Sequence, residues 1–190
     1  DTTLLGIREA VAEVRRLRDI DEIDLDFYWK DCPPFHREEA FRVQLALAKE
    51  TDRPVVIQSR DAAKDTLRIL EAEGFSGRSV LWHCFSGDAV DFLDRFLANG
   101  WHISIPGPVT YPANHDLREA VKRIPPDRLM VETDCPYLSP VPWRGKPNEP
   151  AIVAFTAETV ALERGIDPAD LWTLCGRNNR RFFNAPAKGL

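Results

Sequence analysis

Four polar residues of metal-ligand type stand on short apolar runs: Glu22 on residues 20–27, Gln58 on 55–58, His83 on 80–85 and Asp134 after 129–131. The clearest is Leu129-Met130-Val131-Glu132-Thr133-Asp134-Cys135-Pro136. An apolar run ends abruptly in an acid, a threonine and a second acid, and Pro136 then bars further strand pairing. A buried parallel strand has this form when it delivers a carboxylate to its own C-terminal tip. Glu22, His83 and Asp134 together are a carboxylate, an imidazole and a carboxylate. Such a mixed oxygen and nitrogen set suits Zn, Mn or Mg, and an ion so held can activate water or clamp a phosphate. His36, His102 and His115, read in a loop, mid-strand and at a helix start, are expected to be ordinary core or surface residues.

The elements that must position these groups follow from periodicity. Ile7, Val11, Val14 and Leu17 share one helical face, so the spacing predicts a helix over 7–17. Residues 20–27 alternate, with Ile23, Leu25 and Phe27 on one side and Glu22, Asp24 and Asp26 on the other. Three carboxylates on one strand face are either a solvent-facing edge or oxygen ligands for a hard cation. Glu22 is assigned to the second class and Asp24 to the first. Further strands are expected over 54–58, 79–85, 101–105 and 129–132. Helices are expected over 37–50, 61–73, 89–98, 115–123, 151–164 and 168–183. Gly74 and Gly100 end two of these helices, and Asp167 caps the last. Strands alternating with helices mean a parallel sheet with right-handed crossovers. Its polar residues gather at the strands' C-terminal ends, where α/β folds place their sites.

With 190 residues the chain suits one domain with a sizeable core. It carries no apolar run of membrane-spanning length and no signal-peptide pattern, so a cytoplasmic protein is expected. The four cysteines (Cys32, Cys84, Cys135, Cys175) form no CxxC pair and are expected to be reduced. Cys84 and Cys135 flank candidate ligands and read as small packing residues, with a metal or nucleophilic role as the alternative. A formal charge of −5 argues against a broad basic surface for nucleic acid. It leaves room for a nuclease that grips phosphate through metal ions and a few arginines.

Four stretches carry a family resemblance. Asp21-Glu22-Ile23-Asp24-Leu25-Asp26-Phe27-Tyr28, Pro54-Val55-Val56-Ile57-Gln58-Ser59-Arg60-Asp61-Ala62, His83-Cys84-Phe85-Ser86-Gly87 and Glu132-Thr133-Asp134-Cys135-Pro136-Tyr137-Leu138 resemble successive motifs of the TatD-type deoxyribonucleases, in the amidohydrolase-like superfamily. Arg144 to Pro150 and Asn178 to Phe183 are similar as well. The resemblance implies a TIM-type (β/α) barrel, here incomplete with about five parallel strands, spanning 1–190 as one domain. It implies divalent metal, Mg or Mn before Zn, held by Glu22, His83 and Asp134. It further implies hydrolysis of phosphodiester bonds in DNA, a single strand being the expected partner. Glu22 and Asp134 carry over as the catalytic carboxylates, with Asp134 as the base that holds the attacking water. Arg60 and Arg144, in loops above the barrel, are candidate phosphate contacts, ordinary surface arginines being the alternative.

Three departures set this chain apart. The family opens on a strand bearing a His-x-His pair, with two further strands before the segment that matches Glu22, and none of these is in the sequence. Gln58 stands where the family has histidine, and a neutral amide is a poor ligand for a transition metal although its oxygen suits a hard cation. The family's Gly-Glu-Ile-Gly is Asp21-Glu22-Ile23-Asp24. Five strands do not close a barrel. A partner or second copy then completes the fold, or the sheet stays open, or the sequence is part of a longer chain. Three functions follow: a metal-dependent nuclease, a catalytically weakened relative that acts through binding or assembly, or a hydrolase of another phosphoester or an amide on the same scaffold.

Overall fold

Five short runs of β-branched and aliphatic residues build the frame. In the computed structural model, which describes residues 18–30 and 32–185, they form β1 (Ile20–Asp26), β2 (Val55–Arg60), β3 (Val80–Trp82), β4 (His102–Ile105) and β5 (Leu129–Val131). All pair in parallel in the order β1-β2-β3-β4-β5, so each chain crossover steps to the next strand. This is the architecture of a TIM-type barrel, with five of its strands in one sheet. The helix expected over 7–17 lies outside the described residues.

The crossovers are α1 (Pro34–Glu50), α2 (Ala63–Ala72), α3 (Leu93–Ala98) and α4 (His115–Arg123), followed by α5 (Val153–Arg164) and α6 (Pro168–Phe182). α1 starts earlier than its apolar pattern predicts because Pro34 is accepted in the first turn, where no N–H is needed. His36 therefore sits in a helix and not in a loop. The helix expected over 89–98 is a 3-10 segment, Gly87–Phe92, followed by the shorter α3. The Asp167 carboxylate caps α6 by accepting the Ala169 N–H at 2.8 Å, as its sequence position predicts.

Period-two alternation gives the sheet two faces. Ile23, Leu25, Val55, Ile57, Val80, Trp82, Ile103, Ile105 and Leu129 point to one side and are fully buried under the helices. Trp82 stacks on Phe96 of α3 with ring centroids 4.0 Å apart. Residues of opposite parity, Val56, Leu81 and Met130, form a smaller cluster with Phe182 and Phe183 from the end of α6. Asn178 secures that helix by donating from its amide to the Pro126 and Leu129 carbonyls, at 2.7 and 2.8 Å. This explains why the segment from Asn178 to Phe183 carries a motif at all. His102, level with Leu81, packs its ring against Phe182 at 5.0 Å and is buried, so it is a core residue as expected. No helix among the described residues is long and apolar enough to cross a membrane.

Candidate functional site

At the C-terminal ends of the strands lies a cavity of about 710 Å³, lined among others by Glu22, Gln58, Arg60, His83 and Asp134. Four different strands or their exits therefore bring the predicted residues to one space. Each arrives by a distinct local device.

Glu22 belongs to a β-bulge. Ile20 pairs with Val55 but Ile23 pairs with Ile57, so three residues of β1 advance against two of β2. Glu22 absorbs the difference with φ +48°, a left-handed backbone. A bulge of this kind turns a side chain out of the simple alternation. Gln58 pairs opposite Asp24 and lines the cavity, yet its Oε1 is buried with no hydrogen-bond partner among the described residues. A buried amide oxygen without a donor costs free energy unless something positive reaches it.

His83 sits one residue past the end of β3, its N–H still on the ladder to the Ile57 carbonyl at 3.0 Å. Its Nδ1 lies 2.7 Å from Glu132 Oε2, and its Nε2 lies 3.4 Å from Asp134 Oδ1. Burial disfavours the imidazolium, but Asp134 and Glu132 outweigh that and raise the His83 pKa to about 10. Glu132 also accepts the Cys84 N–H at 2.8 Å through its other oxygen. Glu132 is not among the residues that spacing or resemblance names as ligands. The signal was present, since Met130, Glu132 and Asp134 share one parity, but alternation alone does not say which acid meets a histidine. The Cys84 thiol is pushed up by burial and by Glu132 and Asp134, so it remains a neutral packing group.

Asp134 has φ +56° and opens a tight turn, with its carbonyl accepting the Tyr137 N–H at 2.8 Å. Asn148, buried, braces this turn by donating to the Thr133 and Tyr137 carbonyls, both at 2.7 Å. Left-handed backbone at Glu22, Cys84 and Asp134 concentrates strain around the cavity, as functional sites often do.

The two arginines part company. Arg60 is the last residue of β2, not a loop residue, and its guanidinium lies 4.2 Å from the Tyr28 ring centre at the cavity wall. Its strand is longer than predicted because β1 continues to pair with it as far as Asp26. Arg144 does not line the cavity; its guanidinium stacks 4.3 Å over Tyr111. On β1, burial and neighbouring Asp26 raise the Asp24 pKa.

Two carboxylates, an imidazole nitrogen and an amide oxygen could hold a divalent cation here. The Glu132–His83 contact fits that use: with the Nδ1 proton held by Glu132, Nε2, which faces Asp134, is the nitrogen that would give up its proton to take a cation. The unpartnered Gln58 oxygen fits it too. Among the described residues, however, no three His, Cys, Asp or Glu side chains are already drawn up as a metal centre. The fold and site define an α/β-barrel type protein with an acidic, imidazole-bearing pocket at its C-terminal face.

Comparison with known proteins narrows that class. A family model described as TatD related DNase matches residues 2–184. The metal-dependent hydrolase YabD of Bacillus subtilis, uncharacterized, is 39% identical over 86% of this chain and 64% of its own length. A protein named 3'-5' ssDNA/RNA exonuclease TatD, from a Rahnella strain, is 38% identical over 96% of this chain and 71% of its own. The crystal structure of YJJV, a TatD homologue from Escherichia coli, superposes with TM-score 0.89 at 26% identity, covering 98% of this chain and 71% of that one. This chain belongs to the TatD-related DNase family. It spans about 64% of the length of YabD and of the similar Escherichia coli hydrolase YcfH.

Proposed function

We propose that this chain carries most of the active site of a divalent-metal-dependent hydrolase that cleaves phosphodiester bonds in DNA, acting on single strands. The observation that carries the reading is the convergence of Glu22, Gln58, His83 and Asp134 on one cavity, with His83 fixed from behind by Glu132. The name of the Rahnella relative supports the substrate class. Glu22, His83 and Asp134 would hold the cation, and the Gln58 amide oxygen favours Mg or Mn over a softer ion. When bound, the cation would supply activation of water and neutralisation of charge on the phosphate. Glu132 orients the imidazole and fixes its tautomer. Asp134 takes the proton from the attacking water. Arg60 contacts a phosphate oxygen of the strand.

The test incubates single-stranded DNA with the full chain and Mg or Mn, with EDTA as control. Metal-dependent cleavage is expected, abolished in Asp134→Ala, together with a lower heat of Mn binding for that variant by calorimetry. Equal heats would remove Asp134 from the site. The second reading, a weakened binding or assembly module, is favoured by Gln58 and by the absence, among the described residues, of a ready-made metal centre. Binding of DNA without cleavage would support it.

A further inference from the structure

Two large aromatic side chains line the same cavity in a way that packing does not explain. Trp29 is 60% exposed and Tyr137 is 69% exposed, although both could bury over 150 Å². They come from opposite ends of the sheet. Trp29 follows β1 at one edge and Tyr137 follows β5 at the other, and His83, at the exit of the central strand β3, lies between those edges in strand order.

Both rings stand on braced backbone. The N–H groups of Tyr28 and Trp29 donate to Asp26 Oδ1 at 2.7 and 3.2 Å, and the Trp29 ring meets Tyr28 edge-on at 5.0 Å. The Arg60 guanidinium stacks on Tyr28, which stays half exposed. The Tyr137 carbonyl accepts from Asn148 while its N–H donates to Asp134. Of the other exposed aromatics, Tyr28 supports Trp29 from the side, while Phe35, Trp143 and Trp172 do not line the cavity.

We propose that Trp29 and Tyr137 are base-stacking residues, each receiving the face of one nucleobase of a single strand whose backbone crosses the cavity between them. This deepens the nuclease reading and rests on it. Three features select this ligand. A free π-face is offered by an unpaired base and not by the interior of a duplex. The groups that share the cavity with the rings, Arg60 and the donors suited to a cation, address phosphate. The chain's net charge of −5 disfavours long-range attraction of a polyanion, which gives weight to short-range contacts such as stacking.

The experiment compares a fluorescein-labelled oligothymidylate with an abasic strand of equal length, both with phosphorothioate linkages to block cleavage, in Mg-containing buffer by anisotropy. The wild type is expected to bind the base-bearing strand at least about fivefold more tightly than the abasic one. Trp29→Ala and Tyr137→Ala should each shrink that gap and leave abasic binding unchanged, while Trp29→Phe and Tyr137→Phe preserve it. Equal binding of the two strands by wild type, binding of neither, or an undiminished gap in both alanine variants would overturn the proposal. Cleavage of natural single strands, assayed separately, keeps the two ideas apart. A gap that tracks both rings without any cleavage supports the platform and sinks the nuclease reading; cleavage with no gap does the reverse.

Discussion

Glu132 shows how much one unassigned side chain can carry. Its two oxygens serve two masters, His83 Nδ1 at 2.7 Å and the Cys84 N–H at 2.8 Å, and Cys84 itself has a left-handed backbone. Removing that carboxylate leaves a half-buried imidazole N–H and a backbone N–H without their acceptor. Glu132→Ala should therefore cost about 1–3 kcal/mol of stability, read by urea unfolding. It should also weaken Mn binding by about 10- to 100-fold in calorimetry, as loss of an orienting partner does. Unchanged binding would mean that Glu132 only ties the loop. The resemblance pointed to Glu22, His83 and Asp134 but not to Glu132, because its role depends on which histidine a strand two places away brings beside it.

At the scale of elements, the loop after β5 is held where the chain passes over itself. Gly107 opens the 3-10 turn Gly107–Thr110 just after β4, and a Cβ there would lie 2.2 Å from the Leu138 carbonyl oxygen and 3.0 Å from Pro140 N. Backbone atoms, unlike the tip of a flexible side chain, have little room to yield. Gly107→Ala should push out the segment that begins at Asp134, destabilising the protein by about 1–3 kcal/mol. Faster amide exchange at residues 137–139 would accompany the loss, and unaltered exchange would refute the mechanism. The same segment explains Arg144: its backbone follows Asp134 closely in sequence, but the turn carries its side chain to Tyr111 and away from the cavity.

Over the whole molecule, stability should respond to acid through His102. Burial, with Arg128 nearby, depresses its pKa to about 4, and its Nδ1 has no hydrogen-bond partner among the described residues. The unfolded chain takes up the proton near pH 6.5 and the folded one only near 4. The stability it contributes is complete above about pH 6.5 and is lost as pH falls toward 4. Between pH 7 and 5 the wild type should lose about 2 kcal/mol more unfolding free energy than His102→Leu. Parallel pH profiles for the two proteins would show that the imidazole does not titrate on unfolding.

The sequence by itself determined the five apolar runs, their parallel alternation with helices, and the polar residues that end them. Those features depend on neighbours within a few positions, where alternation, glycine, proline and capping chemistry act directly. Tertiary structure alone decided the bulge that turns Glu22, the pairing of Glu132 with His83, the extension of β2 to Arg60 and the departure of Arg144. Each of these is set by register between strands or by a loop folding back on another, distances that no spacing along the chain encodes.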